Sequence, residues 1–337
     1  MPIGTGADAS MVELVGFFNS AVLKQLEKAV YDQVMKNAAV LYRFWRKGPK
    51  IDGGMAMVWP IIITEKRYGT WYFGAQELPH GQEDTMAPAE LRWKWIAEDV
   101  TIAITDLKMA SSPYAQLDII KTKFDEAVMN LRQRITRGLF NRAYSYEGSE
   151  DKQIDGFMKA IDAGGSEITY NGIKVAGWSE YAGVSRSNTY WQSAVVDKNS
   201  GNVSLADIQN LYGMCSDGNE TPTLGIVRQE GFNFLWGQVQ ALQRYVRDEE
   251  MAQIGFETIR FNNAVIIVDN WCPPGTLLFV NERWVDLVTL AGENFNIDPI
   301  IYGTPSQRVL TTKVTWAGNL RVKIPKMNGK IIRAANL

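Results

Sequence analysis

The chain has 337 residues, 46% hydrophobic and 21% charged, with a formal net charge of -2. That length supports a substantial buried core in one large or two medium domains, and near neutrality excludes the overall basic field that draws in nucleic acid. One histidine, His80, excludes a multi-histidine metal centre, and Cys215 and Cys272, in no CxxC pair, read as free buried thiols.

Residues 1–9 are small and polar and read as a loose arm. Ser10 and Glu13 have capping-box spacing and open a helical stretch to about Lys36, an arm that packs on its own domain or docks on a neighbour. From Ile51 to Leu107 the pattern turns to β. Met55 to Thr64 reads as a strand with Pro60 inside it, and Leu91 to Asp106 alternates as its partner. Between them a large tip carries Arg67, Tyr68, Trp71, Tyr72 and Phe73. A lone two-stranded ribbon is marginal in water, and an exposed apolar patch marks a contact surface, so this tip either meets a partner or folds back onto its parent domain.

Pro113 to about Ser145 reads as one long helix. Leu117, Ile120, Phe124, Val128, Leu131, Ile135 and Leu139 keep to one face, Ser112 stands as N-cap before Pro113, and Glu147 and Gly148 form the stop. At 1.5 Å per residue it would be about 45 Å long, a scaffold. Arg132, Arg134, Arg137 and Arg142 crowd its second half, where they serve solvation and subunit salt bridges or phosphate contact.

Beyond it, Asn171 and Gly172 mark a hairpin within Ile168 to Val175, and Ser204 caps a helix over Leu205 to Met214. A strand over Leu224 to Arg228, a helix over Phe232 to Val246 and strands over Ala264 to Val268 and Thr276 to Val280 indicate an α/β layer. The tail reads as β, with strands over Thr311 to Trp316 and Leu320 to Ile324 around Gly318, and a hairpin turn at Asn328 and Gly329.

Signals for catalysis are sparse. Gly183 to Ser187 begins like a nucleophile elbow without its closing glycine, Gly4 to Gly6 starts a glycine pattern that does not continue, and no Walker sequence is present. Glu83 with Asp84, Glu249 with Glu250, and Glu293 with Asp298 are carboxylate pairs that sequence alone cannot bring into working geometry. No cofactor or metal is expected. No apolar run reaches the roughly 18 residues of a membrane span and no secretory signal opens the chain, so a soluble protein with no membrane partner is expected.

The order of parts resembles the major capsid proteins of tailed bacteriophages, the HK97 fold. Locally, Asn263 to Asn270, then Pro273, Pro274, Gly275 and Thr276, then Leu277 to Asn281 resemble that family's strand, proline-glycine turn and strand. Asp298, Pro299, Gly318, Asn319, Leu320, Pro325 and Gly329 resemble its ending. The resemblance implies an α+β fold with an N-terminal arm and helix over 1–50 and an extended β-ribbon over 51–107. The spine helix of a peripheral domain would occupy 108–149, an axial α/β domain 150–285, and a returning β part of the peripheral domain 286–337. It implies a protein that is not an enzyme and self-assembles into pentamers and hexamers of an icosahedral shell around phage double-stranded DNA. Subunit-interface residues would be Arg67, Tyr68, Trp71, Tyr72, Phe73, Arg132, Arg134 and Arg137.

Its partners would be other copies, a portal protein, DNA through non-specific contacts and, because no long extension precedes the arm, a separate scaffolding protein. It would reside in the virion after assembly in the host cytoplasm. Lys66 with Asn294 or Asn296 could form a cross-link of the kind some members make, although no motif marks them. The alternatives are an encapsulin-like nanocompartment shell and, from another class, a carboxylate-dependent hydrolase.

Overall fold

The computed structural model describes residues 39–64, 70–81, 84–109, 113–142, 152–240, 259–299, 301–302 and 308–337. The arm, its Ser10–Glu13 capping box, Lys66, Ser112, and Glu147 with Gly148 lie outside these residues.

The long helix spans Pro113–Leu139. Of its expected stripe, Ile120, Phe124, Val128, Leu131, Ile135 and Leu139 are buried and Leu117 is partly so. Burying side chains of this kind stabilises by about 1.5–3 kcal/mol each. The helix stops short of the expected end. Asn141 adopts a left-handed φ of 52°, its N–H donates to Gly138 O (3.0 Å), and the Arg142 N–H donates to Arg137 O (3.1 Å). These bonds form a Schellman cap with asparagine in the place glycine usually takes. The cap is also tied down, because Asn141 Nδ2 donates to Ile154 O and its Oδ1 accepts from the Lys159 N–H. The returning chain crosses so near the helix end that a Cβ on Gly156 would lie 2.3 Å from Leu139 O.

Among the described residues there are two larger sheets. In the five-stranded one, Val309–Val322 is the centre, antiparallel to Val285–Ile297 and then Ile301–Tyr302 on one side and to Lys94–Ala103 on the other, with Lys50–Ile51 parallel to Val285–Ile297. Two expectations are corrected here. The ribbon strand Ala56–Ile62 pairs with Met86–Arg92, whereas Lys94–Ala103, expected as its partner, belongs to this sheet. Gly318 does not divide two tail strands but sits inside one of 14 residues, where a Cβ would lie 2.5 Å from the Trp316 ring and 2.6 Å from Val288 O. The strand Val285–Ile297 had no assignment from sequence.

The six-stranded sheet has the order Ile259–Phe261, Ala264–Val268, Leu224–Val227, Leu277–Val280, Gly329–Ile332 and Ala194–Asp197. Leu224–Val227 and Leu277–Val280 are buried at every residue, as a strand covered on both faces must be. Asn328 and Gly329 make no hairpin. Gly329 opens a strand between Leu277–Val280 and Ala194–Asp197, so the tail expected as one unit is divided between the sheets.

The helix Leu205–Met214 has its full capping box, Ser204 with Asp207, and the Asn171–Gly172 hairpin forms with φ of 49° and 74°. The helix expected from Phe232 begins at Gln229 and is described to Gln240.

Candidate functional site

The ribbon has two unlike faces. Met57, Ile61, Ala89 and Leu91 point into the protein and are buried, while Val58, Ile62 and Met86 on the other face are 62–65% exposed. Pro60 stands opposite Pro88. Two prolines can face each other without losing ladder bonds only where both nitrogens point away from the partner strand, which a two-stranded ribbon permits. The strands of the ribbon are fastened along their length. The Glu90 N–H donates to Ala182 O, Asn188 Nδ2 to Ile63 O, and the Trp93 indole to Gly54 O, each at 2.9 Å.

Beyond the strands, Trp71 is 100%, Phe73 95% and Tyr72 65% exposed. These rings do not fold back onto the parent domain. Eight of the fourteen large exposed apolar side chains among the described residues lie between Met55 and Met86. This stretch brings together three of the expected interface residues, Trp71, Tyr72 and Phe73; Arg67 and Tyr68 lie outside the described residues.

The helix arginines sit elsewhere and are partly engaged within the chain. Arg134 Nε is 3.2 Å from the Glu98 carboxylate, tying the helix to the strand Lys94–Ala103. The Arg137 guanidinium lies 4.1 Å from the centre of the Trp271 ring, and that of Arg142, past the helix end, lies 5.7 Å from it. Arg132 is half-buried, and burial lowers its pKa.

The candidate carboxylate pairs are described only in part. Glu293 accepts from Thr315 Oγ1 (2.7 Å), the Asp298 N–H donates to Lys313 O, Asp84 is exposed, and Glu83, Glu249 and Glu250 lie outside the described residues. Among the described residues no three His, Cys, Asp or Glu side chains converge, and no helix is long and apolar enough to cross a membrane. His80 is exposed, both cysteines are free and buried, and burial pushes the Cys215 thiol up to about 12. Gly183 to Ser187 belongs to a small hairpin, Glu180–Tyr181 with Val184–Ser185, not to a strand-turn-helix elbow.

Sequence reasoning missed a buried polar cluster. Lys330 is fully buried, its Nζ donating to Met158 O (2.8 Å) and Val175 O (2.7 Å) and standing 3.1 Å from Asp162 Oδ1. Asp162 Oδ2 accepts the N–H groups of Gly177 and Trp178. Arg186 donates to the carbonyls of Lys159, Ala160 and Trp191. The cluster fastens segment 158–191 to the strand Gly329–Ile332. Burial pushes the Lys330 ammonium down to about 8, against the pull of Asp162. A lysine in a short strand gives no sign in sequence that it is buried.

No protein-family model and no curated protein sequence matches the chain. Solved structures do. A chain of the cyanophage A-1(L) capsid asymmetric unit is 13% identical, with 88% of this chain and 93% of that one covered and a TM-score of 0.62. A chain of the capsid of the native GTA particle is 8% identical, covers 87% and 90%, and has a TM-score of 0.55. A chain of Mycobacterium phage Patience is 13% identical, covers 96% and 88%, and has a TM-score of 0.51. The chain has the HK97-like fold of tailed-phage capsid proteins.

Proposed function

We propose that this chain is a major capsid protein that assembles into pentamers and hexamers of an icosahedral shell enclosing phage double-stranded DNA, and that its role is structural rather than enzymatic. The carrying observation is the ribbon, which on a capsid fold holds an apolar face and three aromatic rings in solvent although its strands are fastened to the protein. A surface of that kind is stable when another subunit covers it.

Under this reading the ribbon lies across an adjacent subunit. The long helix and the five-stranded sheet form the peripheral domain, and the region around the six-stranded sheet forms the axial domain at the capsomer centres. Arg132, Arg134 and Arg137 add polar contacts at the rim of those interfaces. Heterologous contacts repeated around an axis close into rings and shells when the curvature is right. Partners are other copies, a separate scaffolding protein, a portal protein and DNA held through non-specific contacts. The protein resides in the virion and assembles in the host cytoplasm.

Electron microscopy after size-exclusion chromatography tests this. Closed shells or rings of five and six subunits are expected, and a persistent 37.8 kDa monomer under all conditions would remove self-assembly. The double variant Trp71→Ser, Phe73→Ser is expected to lose assembly with the subunit still folded; normal shells from it would take the ribbon tip out of the interface.

A further inference from the structure

A cleft between the long helix, the strand Lys94–Ala103 and segment 152–154 has no part in that reading. Its volume is about 180 Å³, in the size class of an engineered cavity of roughly 150 Å³ that admits one benzene ring. Ile96, Ile135, Ile154 and Trp316 make it apolar, and Lys94, Arg134 and Lys152 bring positive charge to it. Among the described residues two acids are paired with these cations. Glu98 holds Arg134 at 3.2 Å, and Asp155 holds Lys159 at 2.6 Å with Lys94 at 3.8 Å. Of the three cations only Lys152 is exposed.

Two hydrogen-bond donors in the lining, Gln153 Nε2 and the Trp316 indole Nε1, are buried and have no partner. Buried donors are nearly always satisfied, so two orphans beside one cleft call for an acceptor from outside. A water molecule would answer the donors but not the surplus charge or the apolar walls.

We infer that the cleft takes a carboxylate carried on a short apolar stem of side-chain size. Gln153 Nε2 is the donor the carboxylate meets first, Lys152 faces its charge, and the stem lies along Ile96, Ile135 and Ile154, with the fully covered Trp316 indole in the wall. The carboxylate belongs either to a free organic acid or to an Asp or Glu side chain of a neighbouring copy; the second source rests on the shell reading.

Calorimetric titration of the unassembled subunit with benzoate, and with its neutral isostere benzamide, tests the inference. Saturable benzoate binding is expected, with benzamide weaker by about tenfold, because a hydrogen bond to an ionised acceptor is the stronger one. Gln153→Met and Lys152→Gln should each weaken benzoate by roughly threefold or more without moving the thermal midpoint, since neither side chain supports the core. Assembled shells that bind benzoate as the subunit does identify a free acid; shells that no longer bind it, with assembly slowed by benzoate, identify a neighbour's side chain. No saturable binding to the subunit, or equal affinity for benzoate and benzamide, overturns the inference. The subunit titration needs no assembly, so a failure of the shell reading would be visible separately.

Discussion

Two strand pairs rich in apolar residues meet opposite fates. Leu224–Val227 and Leu277–Val280 are buried at every residue, whereas Ala56–Ile62 and Met86–Arg92 bury alternate residues and leave Val58, Ile62 and Met86 in solvent. Apolar content measures how much surface will be covered somewhere. It does not say whether the cover comes from the same chain. In the six-stranded sheet the cover is internal and is locked by the buried Lys330 and Asp162; in the ribbon it is left to another molecule.

The largest test of this contrast lies on the buried side. Lys330→Met leaves the buried Asp162 without the ammonium that stands 3.1 Å from it, and urea unfolding should register a loss of about 3–5 kcal/mol. A much smaller loss would mean that the cluster does not hold segment 158–191 to the sheet. Gly318→Ala comes next. A methyl group there meets the Trp316 ring and Val288 O, and overpacking of this kind destabilises by about 1–3 kcal/mol, measurable as a lowered thermal midpoint.

A pH effect follows from Asp269, whose carboxyl burial pushes up to about 6, although the Trp271 N–H donates to it. Between the ordinary carboxylate value of about 4 and that value the folded state holds the extra proton. This site's contribution therefore falls as pH rises through that window and reaches its low plateau above it. Asp269→Asn keeps an acceptor for Trp271, so it should remove this slope and be at least as stable as the unaltered protein at pH 7; an unchanged profile would reject the assignment. The smallest effect on stability belongs to the ribbon. Trp71→Ser with Phe73→Ser should move unfolding by no more than about 0.5 kcal/mol. A larger loss would show that the rings pack on their own chain and would dissolve the contrast.

The helical stripe from Ile120 to Leu139, the Ser204 cap and the Asn171–Gly172 hairpin were legible in the sequence, because a 3.6-residue period and the turn-forming residues act over a few neighbours. The exposed tip was legible in part. Its aromatic residues could be read, and their position in solvent could not. At 8–13% identity to the capsid chains of the same fold, the likeness lay in the order of elements more than in any motif. The true end of the long helix was hidden because Asn141, not glycine, takes the left-handed cap, held there by Ile154 and Lys159.

The sequence by itself determined which stretches alternate, which turn and which form helices, since these follow from backbone preferences and the spacing of apolar side chains. Only the tertiary structure decided which strand each strand would meet. Lys94–Ala103 could pair locally with the ribbon, yet it pairs with Val309–Val322, more than two hundred residues away, and Gly329–Ile332 leaves the rest of the tail for the other sheet. Period-two alternation marks a face to be buried but names no partner. The partner is chosen where buried area, register and the space beside Gly318 and Gly156 are satisfied together.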